Sequence, residues 1–160
     1  MDKLYIICVD DQREVLNALT EDLEVFENHV KIEECESVKE AWDVMEEVDN
    51  EGDYVALLIT DQVMPNNTGV DLLKKLSADI RFGATKTILL TGQATHKDTI
   101  EAINSAHLNH YIEKPWKKDD LHATIKTLIT QFVLDKGLEY QSYMDILDQS
   151  VLLNNLRKTT

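Results

Sequence analysis

Cysteine is nearly missing from this chain: Cys8 and Cys35 are the only two among 160 residues. Both fall in strand-like segments with no CxxC or metal-ligand spacing. That sets aside a zinc site or a disulfide framework and leaves buried free thiols in a reducing cytoplasm. Long apolar runs are missing as well, since no segment approaches membrane-spanning length. The opening "MDKLYIICVDD" passes straight into a strand-like run ending in acids. It lacks the basic start and longer apolar region of a secretory signal, so a cytoplasmic location is expected. The two prolines and five glycines gather into no low-complexity linker, and no internal repeat is present. Basic residues are scarce, 16 against 30 acidic ones, for a formal net charge of −14. Residues 121–160 hold four of each sign, so the first 120 carry the whole excess. Such a surface repels phosphate backbones, which argues against direct binding to nucleic acid or an anionic membrane. A cation or a basic protein patch would be attracted.

What is present is alternation. Strand-like runs at Leu4–Val9, Val30–Cys35, Tyr54–Thr60, Thr87–Leu90 and Tyr111–Ile112 are each followed by a helix-like stretch, the βαβ pattern. The helical stripes are Val15, Leu16, Leu19 and Leu23; Val38, Ala41, Trp42, Met45 and Val48; Leu72, Leu73, Leu76 and Ile80. They continue with Ile100, Ile103 and Ala106, and with Leu121, Ile125, Leu128 and Phe132. Right-handed crossovers then place helices on both sides of a five-stranded parallel sheet, a doubly wound α/β architecture. One domain spans residues 1–132, and residues 133–160 form a helical extension.

The polar residues that punctuate the strands lie at one rim. Asp10 and Asp11 end the first strand, Asp61 the third, Thr91 the fourth, and Lys114-Pro115 follows the fifth. In a parallel sheet these carboxyl ends converge, so three acids, a hydroxyl and an ammonium can surround one pocket. Alone, each has an ordinary structural reading: an acid after a strand caps a helix, Thr91-Gly92 is a strand-to-loop transition, and Lys-Pro is a turn. Five such coincidences at one rim favour a site. Three crowded carboxylates call for a hard divalent cation with oxygen ligands, Mg²⁺ above others, and the lysine for a phosphate-like anion.

The stretches "VDD" at 9–11, "DQVMP" at 61–65 with Gly69 after it, "LLTG" at 89–92 and "YIEKPW" at 111–116 resemble the CheY-like receiver domain of two-component response regulators, from about Leu4 to about Phe132. The resemblance implies a flavodoxin-like fold and a phosphoacceptor, Asp61, that takes a phosphoryl group from the histidine of a sensor kinase or phosphotransfer protein. It implies Mg²⁺ held by Asp10, Asp11, Asp61 and the backbone carbonyl of Val63. Lys114 would pair with the phosphoryl oxygens, Thr91 would move in to hydrogen-bond them, and Tyr111 would turn inward as the switch aromatic. Val63 and Gln93 occupy the positions that tune phosphoryl loss, and the Lys114–Pro115 bond is expected to be cis. His29, His96, His107, His110 and His122 show no metal spacing and are read as surface or loop residues.

Two further function classes fit the same fold. A phosphohydrolase with Asp61 as nucleophile usually needs a second acid two residues on, where this chain has Val63. An inert, receiver-like dimerisation module tends to lose an acid or the lysine, and this chain keeps them. Beyond the domain, Leu134, Leu138, Tyr140, Met144, Leu147 and Val151 recur roughly as on a helix, with Gly137 interrupting the join. The stripe suggests either a C-terminal coiled coil joining a homodimer or a helix folded back on its own domain. The extension is read either as a dimerising tail of a stand-alone receiver or as a linker to the output domain of a longer regulator.

Overall fold

The computed structural model describes residues 3–92 and 96–159. Five strands, β1 (Leu4–Val9), β2 (Val30–Cys35), β3 (Tyr54–Asp61), β4 (Lys86–Thr91) and β5 (His110–Glu113), pair in parallel in the order β2-β1-β3-β4-β5. Between and after them run α1 (Arg13–Asp22), α2 (Val38–Asn50), α3 (Gly69–Ser77), α4 (His96–Ala106), α5 (Lys118–Lys136) and α6 (Gln149–Thr159). This is the doubly wound, flavodoxin-like arrangement. β1 is buried along its whole length and β3 from Val55 onward, which is why both read as unbroken apolar runs. β2 lies at an edge and alternates charged with apolar residues.

Each face of the sheet carries its own core. Leu16, Leu19 and Phe26 pack with Leu121, Ile125, Ile129 and Phe132 on one side. Trp42, Met45, Leu72, Leu73 and Leu76 pack with Ala102 and Ala106 on the other. Cys8 and Cys35 are free and buried but belong to opposite faces, so they cannot bridge. Burial pushes both thiols up, that of Cys35 to about 12.

Three expectations change. Ile80 does not extend the α3 stripe: the helix stops at Ser77, and Ile80 begins a 3-10 turn with its side chain 97% exposed. Among the described side chains of α4, Ala102 and Ala106 are buried, while Ile100 and Ile103 point outward, about half exposed. A count of apolar residues at helical spacing cannot tell which of two offset rows faces the sheet when the inner row is alanine. His122 is also not a surface or loop residue but lies within α5, whereas His29 falls in the turn before β2. The His122 ring meets Phe26 edge-on at 5.5 Å, and its Nε2 lies 2.5 Å from the Asp22 carbonyl.

The tail folds back on its own domain. Gly137, at φ 69°, ends α5 in the left-handed conformation. The Leu138 amide then reaches the Val133 carbonyl at 3.0 Å, a helix-ending turn that reverses the chain. Residues Tyr140–Ile146 form 3-10 turns rather than a continuous helix, and Tyr143, Ile146 and Leu147 enter the α1–α5 core. Met144, a member of the expected stripe, is 38% exposed. Asp148 then fastens the turn. Its Oδ1 accepts from the Ser150 and Val151 amides at 2.9 and 3.3 Å, which caps α6. Its Oδ2 accepts from Thr127 Oγ1 at 2.8 Å, and its own amide donates to Thr130 Oγ1 at 2.7 Å. The Thr127 bond, with the two amides, holds the Asp148 carboxyl below its ordinary value.

Charge is segregated by the topology. Residues 1–53 contain 18 acids and four bases, a net −14, and residues 54–160 balance at 12 of each. The edge built from α1, β2 and α2 is therefore strongly negative, and the half carrying β4, β5, α4 and α5 is close to neutral.

Candidate functional site

Hydrogen bonds along the ladder bring the rim residues together. Val9 pairs with Thr60, Asp61 with Leu90, and Thr91 with Glu113, so the residues ending β1, β3, β4 and β5 reach the same level. Asp10 continues past β1, with its amide bonded to the Cys35 carbonyl at 3.1 Å and its carboxylate fully buried. Asp10 Oδ1 accepts from the Gln12 amide at 2.9 Å. Ligand oxygens of Asp10, Asp11 and Asp61 lie within 4.8 Å of one another, Asp11 exposed and the other two buried. Lys114 Nζ sits among them, 2.6 Å from Asp61 Oδ1 and 3.2 Å from Asp10 Oδ2. The Lys114 amide donates to the Thr91 carbonyl at 2.7 Å, and the Lys114–Pro115 bond is cis, as expected.

Electrostatics make the cluster unsaturated. Burial pushes the Asp61 carboxyl up from its ordinary value; the Lys114 hydrogen bond pulls it back, and the Asp10 charge pushes it up again. Burial works against the Lys114 ammonium, but Asp61 and Asp10 outweigh it and the net shift is upward. Three carboxylates facing one ammonium leave a formal −2. A divalent cation with oxygen ligands matches that charge and donor set. Thr91 Oγ1 is buried without a hydrogen-bond partner, a polar atom left open beside the cluster.

Tyr111 is 43% exposed and stacks on His110 with ring centroids 6.3 Å apart. Val63 is 78% exposed on the loop after Asp61, and Gln93 lies outside the described residues. Trp116, just past Lys114-Pro115, donates from Nε1 to Asp22 Oδ2 at 2.8 Å, tying the lysine loop to the end of α1.

Gly69 has a steric reason. A Cβ there would stand 2.1 Å from the Asp61 carbonyl oxygen and 3.2 Å from the Gln62 Cα, both main-chain atoms that cannot swing away. Gly69→Ala should therefore force α3 and the end of β3 apart, at a cost of about 1–3 kcal/mol, typical of overpacking. Chemical denaturation of the variant and the parent protein checks this. An unchanged midpoint would mean that the close approach does not persist in solution.

Gln62 is a site residue that the motif pattern does not single out. Its carbonyl accepts from the Gly69 amide at 3.1 Å, and its side-chain Oε1 from the Val70 amide at 2.9 Å. The only available signal was a polar residue directly after a strand-ending acid.

The chain matches the family described as response regulator receiver domain over residues 6–126. It belongs to that family. The receiver is 28% identical to response regulator Rre1 of Synechocystis sp. over 148 residues, 89% of this chain and 60% of that protein. It is 35% identical to chemotaxis protein CheY1 of Helicobacter pylori over 96 residues, 60% of this chain and 73% of that one. The match to hydrogenase transcriptional regulatory protein HoxA of Bradyrhizobium diazoefficiens spans only 18% of that protein. The chain thus spans less than two thirds of the length of these two regulators, 60% of Rre1 and 18% of HoxA. Among solved structures, the signal receiver domain of an HD domain-containing protein from Pseudomonas fluorescens superposes with a TM-score of 0.74 at 22% identity. That alignment covers 86% of this chain and 94% of that one. A CheY-like receiver from Methanospirillum hungatei gives 0.70 at 24%, covering 84% and 99%. At these identities the structural likeness speaks for the fold. Receiver domains are signalling modules rather than enzymes acting on external substrates.

Proposed function

We propose that Asp61 is the phosphoacceptor of this receiver, charged from a phosphohistidine on a sensor kinase or phosphotransfer protein, with Mg²⁺ held by Asp10, Asp11, Asp61 and the Val63 carbonyl. The observation that carries the proposal is the Lys114 ammonium, 2.6 Å from Asp61 Oδ1 within a buried acidic group that it only partly neutralises. In the reaction an Asp61 oxygen attacks phosphorus; the O–P bond forms and the N–P bond breaks, with the pair of electrons returning to the imidazole nitrogen. Bound Mg²⁺ would supply charge neutralisation for the phosphoryl oxygens. Lys114 holds one of these oxygens by a charge-assisted hydrogen bond. Thr91 Oγ1, which has no partner in this state, donates to another. Its movement leaves room for Tyr111 to turn inward from its exposed position, and the β4–β5 face changes for a partner.

Val63 and Gln93 supply no strong base for water, so they modulate the lifetime of the phosphoryl group without creating turnover. Residues 1–132 act as the receiver, working in the cytoplasm, and 133–160 as its extension. A homodimer through that extension would draw on its exposed apolar residues, Met144 at 38% and Leu153 at 52% exposure.

Incubation with Mg²⁺ and acetyl phosphate, read by intact mass and phosphate release, tests the proposal. One phosphoryl group per chain with slow release is expected. Sustained phosphate release would instead make the protein a phosphohydrolase, and an unchanged mass would make it an inert module.

A further inference from the structure

We infer that Gln62 is a positioning residue for the acceptor loop: it gives both of its carbonyl oxygens to the start of α3 and so fixes the loop that carries Val63 beside Asp61. This rests on the phosphoacceptor reading of Asp61. A helix begins with four amides that have no partner inside it, and a loop anchored there needs each of them satisfied. In α3 the accounting closes. The Gly69 amide donates to the Gln62 carbonyl at 3.1 Å and the Val70 amide to Gln62 Oε1 at 2.9 Å. The Asp71 amide donates to Thr68 Oγ1 at 3.1 Å, and only the next amide, that of Leu72, makes a bond within the helix, to the Thr68 carbonyl at 3.2 Å. Thr68 and Asp71 complete a capping box, with the Thr68 amide bonded to Asp71 Oδ2 at 2.9 Å.

Half of the cap therefore comes from the residue directly after the acceptor. Gln62 is anchored on the sheet as well, its amide reaching the Leu90 carbonyl of β4 at 3.3 Å. Residues 63–68 thus hang from a base closed by Gln62 on one side and by Gly69 and Val70 on the other. Gly69 lies so close to the Asp61 carbonyl that it admits no side chain. Only the amide oxygen of Gln62 can meet an N–H, which settles its orientation. A side chain with no acceptor would leave the Val70 donor unpaired and let the loop, with the Val63 carbonyl, shift.

The experiment uses Gln62→Met, which keeps length and shape but removes the acceptor, and Gln62→Glu, which keeps it. Amide exchange at Gly69 and Val70 and calorimetric titration with Mg²⁺ are measured for both variants and the parent protein. Partners behind a metal ligand are worth about 10–100-fold in metal affinity. We expect Gln62→Met to speed Val70 exchange, to weaken Mg²⁺ binding about 10-fold and, through the lost cap bond, to lower the melting midpoint by a few degrees, and Gln62→Glu to retain Val70 protection and Mg²⁺ binding. Faster exchange with unaltered Mg²⁺ affinity would reduce Gln62 to a helix cap and overturn the inference. So would parent-like values for both readouts in Gln62→Met. Failure of the parent protein itself to bind Mg²⁺ would instead strike the phosphoacceptor reading, separately from the Gln62 contacts.

Discussion

Replacing Asp61 by Asn is expected to abolish phosphorylation, with the one-phosphoryl mass increment of the parent protein absent after incubation with acetyl phosphate and Mg²⁺. An amide oxygen still accepts a hydrogen bond from Lys114, but it is not a nucleophile towards phosphorus. The fold should survive. Burial and the Asp10 charge both push the Asp61 carboxyl up, so the native state already works to keep this group ionised. Removing that charge lowers the formal charge of the cluster from −2 to −1, which offsets the weaker bond to Lys114. The thermal midpoint should therefore be no lower than that of the parent protein, while Mg²⁺ affinity falls because one ligand is lost. Labelling that persists in the variant would move the acceptor to Asp10 or Asp11, the remaining carboxylates of the group.

The architecture and the rim cluster were legible for the same reason. Central parallel strands are buried on both faces, so β1 and β3 appear as apolar runs, and whatever polar residue ends such a run must lie at the carboxyl edge. Asp10, Asp61 and Thr91 could be placed without coordinates. What the pattern could not carry was any choice between equivalent rows. On α4 the alanines face inward and Ile100 and Ile103 outward, against the hydrophobic count. In the tail, 3-10 turns bring every third residue to one side, so Tyr143 and Ile146 join Tyr140 against the core while Met144, which helical spacing placed with Tyr140 and Leu147, is exposed. Leu147 was shared by both readings. The role of Gln62 depends on a loop closing across seven residues, and a hydrogen bond of that kind leaves no periodic trace.

Truncating Tyr143 should be the most destabilising single change in the extension. The side chain is 1% exposed and is among the largest fully buried ones, within the core shared by α1 and α5. Large aromatic residues cut back to alanine in such positions cost about 3–5 kcal/mol, through lost transfer energy and the cavity left behind. For a chain of this size each kcal/mol is worth about 2–4 °C, so Tyr143→Ala should lower the midpoint by about 6–20 °C if the tail and the domain unfold together. The contacts favour that outcome. Asp148 binds two α5 threonines as well as capping α6, and Ile146 and Leu147 enter the same core as Tyr143. A tail that loosens separately would limit the loss, because the penalty cannot exceed the free energy with which residues 138–159 dock. Amide exchange at Ser150 and Val151 separates the two cases: exposure of both with little change in the midpoint marks local release, and parallel loss marks one cooperative unit. An unchanged midpoint with undisturbed exchange would mean that Tyr143 does not occupy the core in solution, reopening the tail as a surface for a second chain.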